Sequence, residues 1–271
     1  MVDNALLRLY PLPSRELSPK RIYEDLELPP AGRRDPSRPY VLINMVSSLD
    51  GRTTVKGKAA RIGSETDRLL MRSLRSKADA VIVGANTLRA EKLSLGLDDV
   101  LPGEQPLAVI VAGTADVPLQ TNLISHKRQE VLVIAAQDAP EKNMARLRRH
   151  AHVLRVPASP SGGVDLREAL ETLKTERGVE LLLAEGGPKL SHSLVSEDLV
   201  DELFLTLAPK LLGGQCPDAL TLLEGRELPP LPTRKPHLVS VHLFSDELYL
   251  RYRLSRLSRL SRPVARCPSR P

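Results

Sequence analysis

The sequence predicts a three-layer α/β domain, with helices on both faces of a mixed, mostly parallel sheet and an antiparallel hairpin at the C-terminal end. Two observations lead to this prediction. Short runs rich in Val, Ile and Leu alternate with segments of helical periodicity, and most of these runs are apolar throughout, which is typical of strands covered on both faces. The last two apolar runs are close enough in the chain to form a hairpin. With 271 residues, 41% of them hydrophobic, the chain can bury a substantial core.

Nine strands are predicted from these runs. Six of them are rich in branched side chains and are separated by helical patterns or turns, at 40–46, 80–83, 107–111, 131–135, 153–156 and 180–184. The other three end the domain, at 202–207, 237–244 and 247–254. An alternation of strands and helices followed by an antiparallel ending indicates one α/β domain.

Two helices are predicted with defined ends. Ser64 begins the first one, and Asp67 takes the place of the usual Glu or Gln of a capping box. The expected core stripe of this helix consists of Leu70, Met71 and Leu74. The second helix has a stripe formed by Leu166, Ala169, Leu170 and Leu173, and it ends at Gly178.

Composition divides the chain into three parts. Residues 1–39 hold seven of the 23 prolines and show little periodicity, so we expect a Pro-rich arm there. Residues 40–254 form the folded domain. Residues 255–271 repeat Arg-Leu-Ser without building an apolar stripe, which favours a basic, disordered tail; an appendage that touches RNA or a membrane is the alternative.

Charge and composition argue against several classes of function. The net charge is +6, but residues 255–271 carry five arginines and no acid, so the rest of the chain carries only +1. Aromatic residues make up 3% of the chain, which does not favour a nucleic-acid partner. No apolar run reaches the length of a membrane helix and no signal peptide is recognisable, so we expect a cytoplasmic protein. Cys216, Cys267 and the six histidines lack the spacing of a disulfide framework or a metal site.

The first candidate site is an apolar strand that runs into an Asp-Gly turn. Asn44, Val46, Ser48 and Asp50 alternate onto one face, which places an amide and a carboxylate near the same edge of the sheet. A structural hairpin turn at Asp50-Gly51 explains the same residues without any ligand.

The second candidate is a buried strand that ends in Gly84, with the Thr87 hydroxyl three residues further on. A glycine between a strand and a helix lets a ligand approach the backbone, and the free N–H groups of the helix attract phosphate. An ordinary strand-to-helix turn with a Thr or Asn cap is the alternative interpretation.

The third candidate has the strongest signal, because a buried strand delivers Glu185 to a pair of glycines. Gly186 and Gly187 can expose the amides of a helix start to a pyrophosphate, and Pro188 fits the first helical position, where no N–H is needed. A structural Gly-Gly turn remains possible. Since a carboxylate would repel phosphate, Glu185 is better explained as facing a substrate or ribose hydroxyl.

A fourth feature is a basic stripe on the first predicted helix. Arg68, Arg72 and Arg75 have helical spacing and therefore share one face. Such a stripe is usually solvated, and a clamp for a substrate phosphate is the functional alternative.

Together these motifs resemble the reductase domain of riboflavin biosynthesis. The resemblance runs from residue 40 to 254 and applies both to the C-terminal half of the bifunctional deaminase/reductase and to the stand-alone pyrimidine reductases. It implies a dihydrofolate-reductase-like fold, NADPH as cofactor and a homodimer. The motifs that carry it follow in the expected order: Ser48-Leu-Asp-Gly51, Gly84-x-x-Thr87, Glu185-Gly-Gly187, Leu199-Val-Asp-Glu-Leu203, Ala208-Pro209 and Leu211-Leu-Gly-Gly214.

The resemblance also implies roles for individual residues. Asp50 and Glu185 are the implied catalytic residues, and Asn44, Arg75 and Glu185 the implied substrate-binding residues. Residues 187–190 match the pyrophosphate loop, and Glu91 stands where the family has an aspartate. The implied cofactor-binding residues are Ser48, Gly84, Thr87, Glu91, Gly186, Gly187, Pro188, Lys189 and Leu190.

Two departures from the family concern the substrate side. The bifunctional enzymes have Trp-Ile-Thr where this chain has Arg61-Ile-Gly63, and a phosphate-contacting arginine where Asp98 falls. No Arg or Lys cluster for a 2′-phosphate follows the strand at 107–111, so the preference for NADPH rests on the resemblance.

The implied reaction reduces the ribosyl side chain of 5-amino-6-(5-phosphoribosylamino)uracil, or of its diamino-pyrimidinone precursor, to the ribityl form. The cofactor supplies the hydride, and the protein aligns the two ligands. Asp50 or Glu185 would orient a water or the sugar hydroxyls, and the sequence does not decide which group completes the proton transfer. The alternatives are a reductase of the same fold that acts on a dihydropterin and a non-catalytic NADP-binding module.

Overall fold

The computed structural model describes most of the chain between residues 5 and 254. The gaps in this range are 24–25, 31, 33, 60–61, 92–93, 99, 102–103, 126–127, 160–161, 215–218 and 229–235. Predictions that concern Arg61, Cys216, Cys267 and residues 255–271 therefore fall outside the described residues.

The secondary structure follows the predicted alternation. The strands are β1 (Leu6–Tyr10), β2 (Arg15–Leu17), β3 (Tyr40–Ser48), β4 (Ala80–Gly84), β5 (Leu107–Val111), β6 (Val131–Ala136), β7 (His152–Val156), β8 (Leu181–Ala184), β9 (Glu202–Ala208), β10 (Pro236–Phe244) and β11 (Glu247–Leu254). The helices are α1 (Glu65–Arg75), α2 (Ala85–Ala90), α3 (Asn122–Ser125), α4 (Glu141–Leu147), α5 (Leu166–Arg177) and α6 (Pro188–Ser196). All nine predicted strands are present, and their ends differ from the prediction by at most two residues.

These strands form one mixed sheet, in the order β2-β1-β10-β11-β9-β3-β8-β4-β5-β6-β7. The seven strands from β9 to β7 run parallel to one another. The pairings of β11 with β9, of β10 with β11, and of β1 with both β10 and β2 are antiparallel. The predicted fold class, including the C-terminal hairpin, is confirmed.

Two buried layers cover the two faces of the sheet. On one face, Leu70 and Leu74 of α1 share a core cluster with Val83 of β4. On the other face, Leu170 of α5 and Leu194 of α6 belong to a second cluster. Helices on both faces explain why the central strands are apolar throughout.

Both predicted helix ends are confirmed. The Ser64 hydroxyl accepts a hydrogen bond from the N–H of Asp67 at 3.3 Å, and Gly178 ends α5 with φ +65°. The predicted core stripe of α1 is wrong at Met71. This side chain is only half-buried and lines the cleft described below.

The N-terminal segment contains two strands that sequence reasoning missed. β1 pairs with β10, more than 200 residues away, and β2 pairs with β1. Leu6, Ile22 and Tyr23 are buried in the core, so the core draws on residues before Tyr40. Local periodicity is weak here because both strands are short and lie at the edge of the sheet, where proline is tolerated. The division into arm, domain and tail stays a prediction.

Candidate active site

A cleft of about 1050 Å³ opens at the carboxyl ends of the parallel strands. It is lined by the last residue of each of three strands, Gly84 of β4, Val111 of β5 and Ala136 of β6. Glu185, the first residue after β8, lines it as well. Open α/β sheets bind ligands at this edge. Pockets for a single small ligand measure roughly 300–1,000 Å³, so this cleft has room for a dinucleotide beside a second ligand.

The glycine pair after β8 forms a tight cradle with the end of β4. The N–H of Gly84 donates to the carbonyl of Gly186 at 3.1 Å, and the peptide bond between Gly186 and Gly187 is cis. A Cβ at Gly187 would lie 2.6 Å from the Thr87 Oγ1, so no side chain fits there without displacing the threonine. Gly186 has φ +87°, in the region that favours glycine.

Gly187 is also the N-cap of α6, and its position leaves the first amides of that helix without a side-chain cap. Pro188 occupies the first turn, as predicted. Free helix-start amides beside a side-chain-free backbone form an anion-binding concavity. The structure thus brings Gly84, Thr87, Gly186 and Gly187 together.

The remaining predicted cofactor residues divide into two groups. Lys189 and Leu190 line the cleft from the first turn of α6, the lysine exposed and the leucine buried. Glu91 also lines the cleft, but its Oε1 accepts a hydrogen bond from the N–H of Ala59 at 2.7 Å. This hydrogen bond holds the neighbouring loop.

Arg75 and Glu185 form a buried ion pair in the cleft wall. The Nε and Nη2 of Arg75 donate to the two carboxylate oxygens of Glu185 at 2.7 and 2.6 Å. The Nη1 donates to the carbonyls of Ser94 and Gly96 at 2.9 and 3.0 Å. Four of the five donors of this guanidinium are therefore engaged with the protein, which does not support the predicted direct grip of Arg75 on a substrate phosphate.

The three arginines of the predicted basic stripe have different surroundings. Arg75 is buried, whereas Arg68 is exposed and lines the cleft. Arg72 is exposed and donates to Asp98 at 2.7 Å. Asp98, which stands where the family has a phosphate-contacting arginine, is thus paired with a surface arginine.

Two of the predicted site residues, Asp50 and Ser48, are not among the described residues that line the cleft. The Ser48 hydroxyl donates to Asp50 at 2.6 Å, and the amides of Gly213 and Leu212 donate to the same carboxylate at 2.6 and 3.1 Å. These hydrogen bonds lower the pKa of Asp50 to about 2. Asp50 therefore stays ionised and fastens the 212–213 loop, and the geometry supports neither a catalytic role for it nor a cofactor contact for Ser48.

The Asp50→Ala variant tests this reassignment. We expect kcat to fall less than tenfold, whereas loss of a catalytic acid or base costs about 10²–10⁴-fold. Limited proteolysis near residues 210–214 should become faster, because the loop loses the acceptor of two of its amides. A loss of kcat above 100-fold with unchanged proteolysis would restore the catalytic role of Asp50.

Asn44 lines the cleft as predicted, and its Oδ1 is buried without a hydrogen-bond partner among the described residues. An unsatisfied buried acceptor is costly, so this oxygen is suited to a donor from a bound ligand.

Sequence reasoning missed two features of the cleft. Asp67 was identified only as a capping residue, yet its half-buried side chain lines the cleft from the first turn of α1. The second is a charge cluster beyond β5, where Arg89 and Arg146 donate to the two carboxylate oxygens of Asp116 at 2.9 and 3.1 Å. These arginines come from α2 and α4, so no local sequence signal could join them.

Two features are absent from the described residues. Within those ranges no three His, Cys, Asp or Glu side chains converge as a metal site. In the same part of the chain no helix has the length and apolar character needed to cross a membrane.

The mixed sheet, its two covering layers and the cleft at its carboxyl edge define an α/β enzyme of the dihydrofolate-reductase-like class. The family model for the RibD C-terminal domain matches residues 39–241. The chain belongs to this family, which confirms the resemblance seen in the sequence.

Similar proteins agree with this assignment. The chain is 34% identical over 190 residues to the 2,5-diamino-6-ribosylamino-4(3H)-pyrimidinone 5′-phosphate reductase of Methanothermobacter thermautotrophicus, covering 69% of this chain and 85% of that protein. A pyrimidine reductase-like protein from Corynebacterium diphtheriae has the same fold, with a TM-score of 0.71, 23% identity, and coverage of 89% of this chain and 100% of the other. RibD of Acinetobacter baumannii aligns with a TM-score of 0.64 and 25% identity over 81% of this chain and 58% of its own.

Proposed function

We propose that this protein reduces 2,5-diamino-6-ribosylamino-4(3H)-pyrimidinone 5′-phosphate, or the corresponding uracil, to the ribityl form with NADPH, as a step of riboflavin biosynthesis. This proposal rests mainly on one observation: the same cleft contains a helix-start cradle and a buried Arg75–Glu185 ion pair. The relative of 34% identity is named for this substrate. A nucleotide sensor needs the cradle only, so the second feature favours an enzyme.

The cradle supports the cofactor assignment. Gly187 lies where a Cβ would collide with Thr87, which leaves backbone amides, and no side chain, facing the cleft. Gly186, Gly187 and Pro188 with the following two residues would hold the pyrophosphate, and Asn44 would border the nicotinamide. When bound, a nicotinamide cofactor supplies a hydride.

Arginines at the β5 end of the cleft support NADPH in preference to NADH. Arg89 and Arg146 share the single carboxylate of Asp116, so these three side chains together carry a charge of +1. Arg89 and Asp116 both line the cleft. A guanidinium suits the 2′-phosphate that distinguishes NADPH, because it offers paired donors to phosphate oxygens.

On the substrate side, the geometry supports separate tasks for three residues. Arg75 holds Glu185 in place, and each oxygen of Glu185 keeps a second lone pair for a hydroxyl or amine hydrogen of the substrate. Arg68 is exposed on the same helix and lines the cleft, so it is the better candidate for the substrate phosphate.

The function is tested by NADPH oxidation with the phosphoribosylamino-pyrimidine and with dihydrofolate, measured side by side on the purified protein. We expect turnover with the pyrimidine and little with dihydrofolate. Turnover with dihydrofolate alone would replace the proposed substrate by a pterin. Binding of NADPH without turnover of either compound would favour the non-catalytic NADP-binding module.

We also propose a homodimer, on the basis of the family resemblance. A C2 interface would use the same patch on both subunits. Light scattering at micromolar concentration should give about twice the 29.8 kDa mass of one chain. A mass near 30 kDa would contradict the dimer. The cytoplasmic location stays a prediction.

A further inference from the structure

We propose that the Asp67 carboxyl supplies the proton that accompanies hydride transfer, an inference that rests on the proposed reductase function. Asp67 lies in the first turn of α1, on the wall of the same cleft as Glu185 and Arg68. A reduction that forms a C–H bond from a hydride also needs a proton, and a carboxyl group at the cleft wall can deliver one directly to a bound substrate.

The pocket around Asp67 keeps the carboxyl away from strong partners. The Thr206 hydroxyl of β9 and the Arg68 guanidinium of α1 lie near enough to favour its charged form, while Glu247 of β11 and Glu185 act against that form. Burial is the largest influence, and the pKa of Asp67 is raised to about 6. Two phenols, Tyr23 and Tyr249, have their pKa raised chiefly by burial and to a smaller extent by the charge of Asp67.

Ser64 connects Asp67 to the buried Glu247. The Ser64 hydroxyl accepts from the amide of Asp67 and donates to the carboxylate of Glu247, to which the Tyr249 hydroxyl also donates at 2.6 Å. This arrangement fixes a second carboxylate behind Asp67, on the side away from solvent: Glu247 is 5% exposed. The like charge of Glu247 favours the protonated form of Asp67.

Gly63 provides the space that this carboxyl occupies. A Cβ on Gly63 would lie 2.1 Å from the Asp67 Oδ2, so any side chain at position 63 would displace the carboxylate. Gly63 therefore leaves room for the Asp67 carboxyl in this position.

The other predicted acids are less suited to give up a proton. Both oxygens of Glu185 accept hydrogen bonds from Arg75. Asp50 is outside the cleft, and its hydrogen bonds hold its pKa at about 2. Glu91 accepts a backbone N–H. Asp67 accepts no hydrogen bond from an arginine or a backbone amide among the described residues, and the hydroxyl of Thr206 is its hydrogen-bond partner.

The proposed step balances as follows. The substrate enters as its ring-opened imine, with a double bond between C1′ and the exocyclic nitrogen. Hydride from a dihydronicotinamide forms the new C1′–H bond, the π pair of the imine moves to nitrogen, and the Asp67 carboxyl proton forms the N–H bond. The imine is reduced, the dihydronicotinamide is oxidised, and the carboxylate left on Asp67 takes its next proton from water.

The first test is the pH dependence of kcat/KM in the wild-type enzyme and in Asp67→Asn. We expect the wild-type kcat/KM to fall about tenfold per pH unit above a midpoint near 6, because deprotonation of Asp67 in the free enzyme removes the acid. Asp67→Asn should lose at least 100-fold in kcat and should lose this limb, while Asp67→Glu should keep it. Glu65→Gln is the matched control, since Glu65 is an exposed carboxylate in the same turn, and it should behave as wild type.

The second test does not depend on turnover. Infrared difference spectra of the ligand-free protein should show a carboxyl C=O band that titrates near pH 6 and is missing in Asp67→Asn. Glu247→Gln should move this titration to lower pH, because it removes the neighbouring negative charge. A wild-type protein that reduces the pyrimidine while Asp67→Asn keeps both its rate and its pH limb would overturn the proposal and leave the function intact. A wild type inactive at every pH would instead overturn the function.

Discussion

Arg75→Ala is expected to lower the free energy of unfolding by about 3–5 kcal/mol, because it leaves the Glu185 carboxylate buried without its guanidinium partner. The two side chains are only 6% and 9% exposed, so the carboxylate depends on the guanidinium rather than on water for its hydrogen bonds. The carbonyls of Ser94 and Gly96 lose a donor as well. Urea denaturation measures the change in stability. In the fraction that stays folded, kcat/KM for the pyrimidine should fall at least tenfold while the Kd for NADPH changes little.

Two further variants separate this effect from a general loss of charge. Arg72→Ala removes an arginine of the same helix whose pair with Asp98 is exposed, so it should cost less than about 1 kcal/mol. Removing both charges in Arg75→Met with Glu185→Leu should recover most of the stability but none of the activity. Wild-type stability of Arg75→Ala, combined with a raised KM for the phosphorylated substrate, would instead support the phosphate clamp.

Gly187→Val is expected to weaken NADPH binding by well over tenfold, which corresponds to about 1.4 kcal/mol or more. The first carbon of any side chain at this position would stand 2.6 Å from the Thr87 Oγ1, and the rest of the valine would cover the helix-start amides. Fluorescence titration with NADPH measures the affinity, and circular dichroism verifies that the variant is folded.

A smaller substitution refines this result. In Gly187→Ala the methyl group meets mainly the Thr87 hydroxyl, so adding Thr87→Ala should relieve the collision and restore a folded protein. Comparison of this double variant with Thr87→Ala alone shows whether the added methyl group still weakens cofactor binding. Unchanged NADPH affinity in folded Gly187→Val would remove the cradle from the proposed site.

The sequence predicted those parts of the fold that depend on neighbours along the chain. Continuous apolar runs identify the parallel strands, and the cap at Ser64 and the glycine at 178 define helix ends, because each signal is local. β1 was missed because its main partner, β10, lies at the other end of the chain, and its hydrogen bonds leave no periodic trace in five residues.

In the candidate site, too, the residues of local motifs were predictable and the contacts between distant residues were not. Gly84, Thr87, Gly186 and Gly187 follow from the chemistry of helix starts, which short motifs encode. Alternation along a strand places the Asp50 carboxylate on one face but does not show that it accepts the amides of Leu212 and Gly213. The Arg75–Glu185 pair joins residues 110 positions apart, so its burial and geometry follow only from the packed structure.

The position of β11 between β9 and β10 limits how this protein can be shortened. A fragment cut at the bounds of the family similarity, residues 39–241, would lack β1, β2 and β11, so the remaining part of β10 would have no neighbouring strand. It would also lose Glu247 and Tyr249, which stand behind Asp67. The smallest piece that keeps both the sheet and the surroundings of Asp67 therefore extends beyond the range matched by the family model at both ends, from the start of β1 to the end of β11.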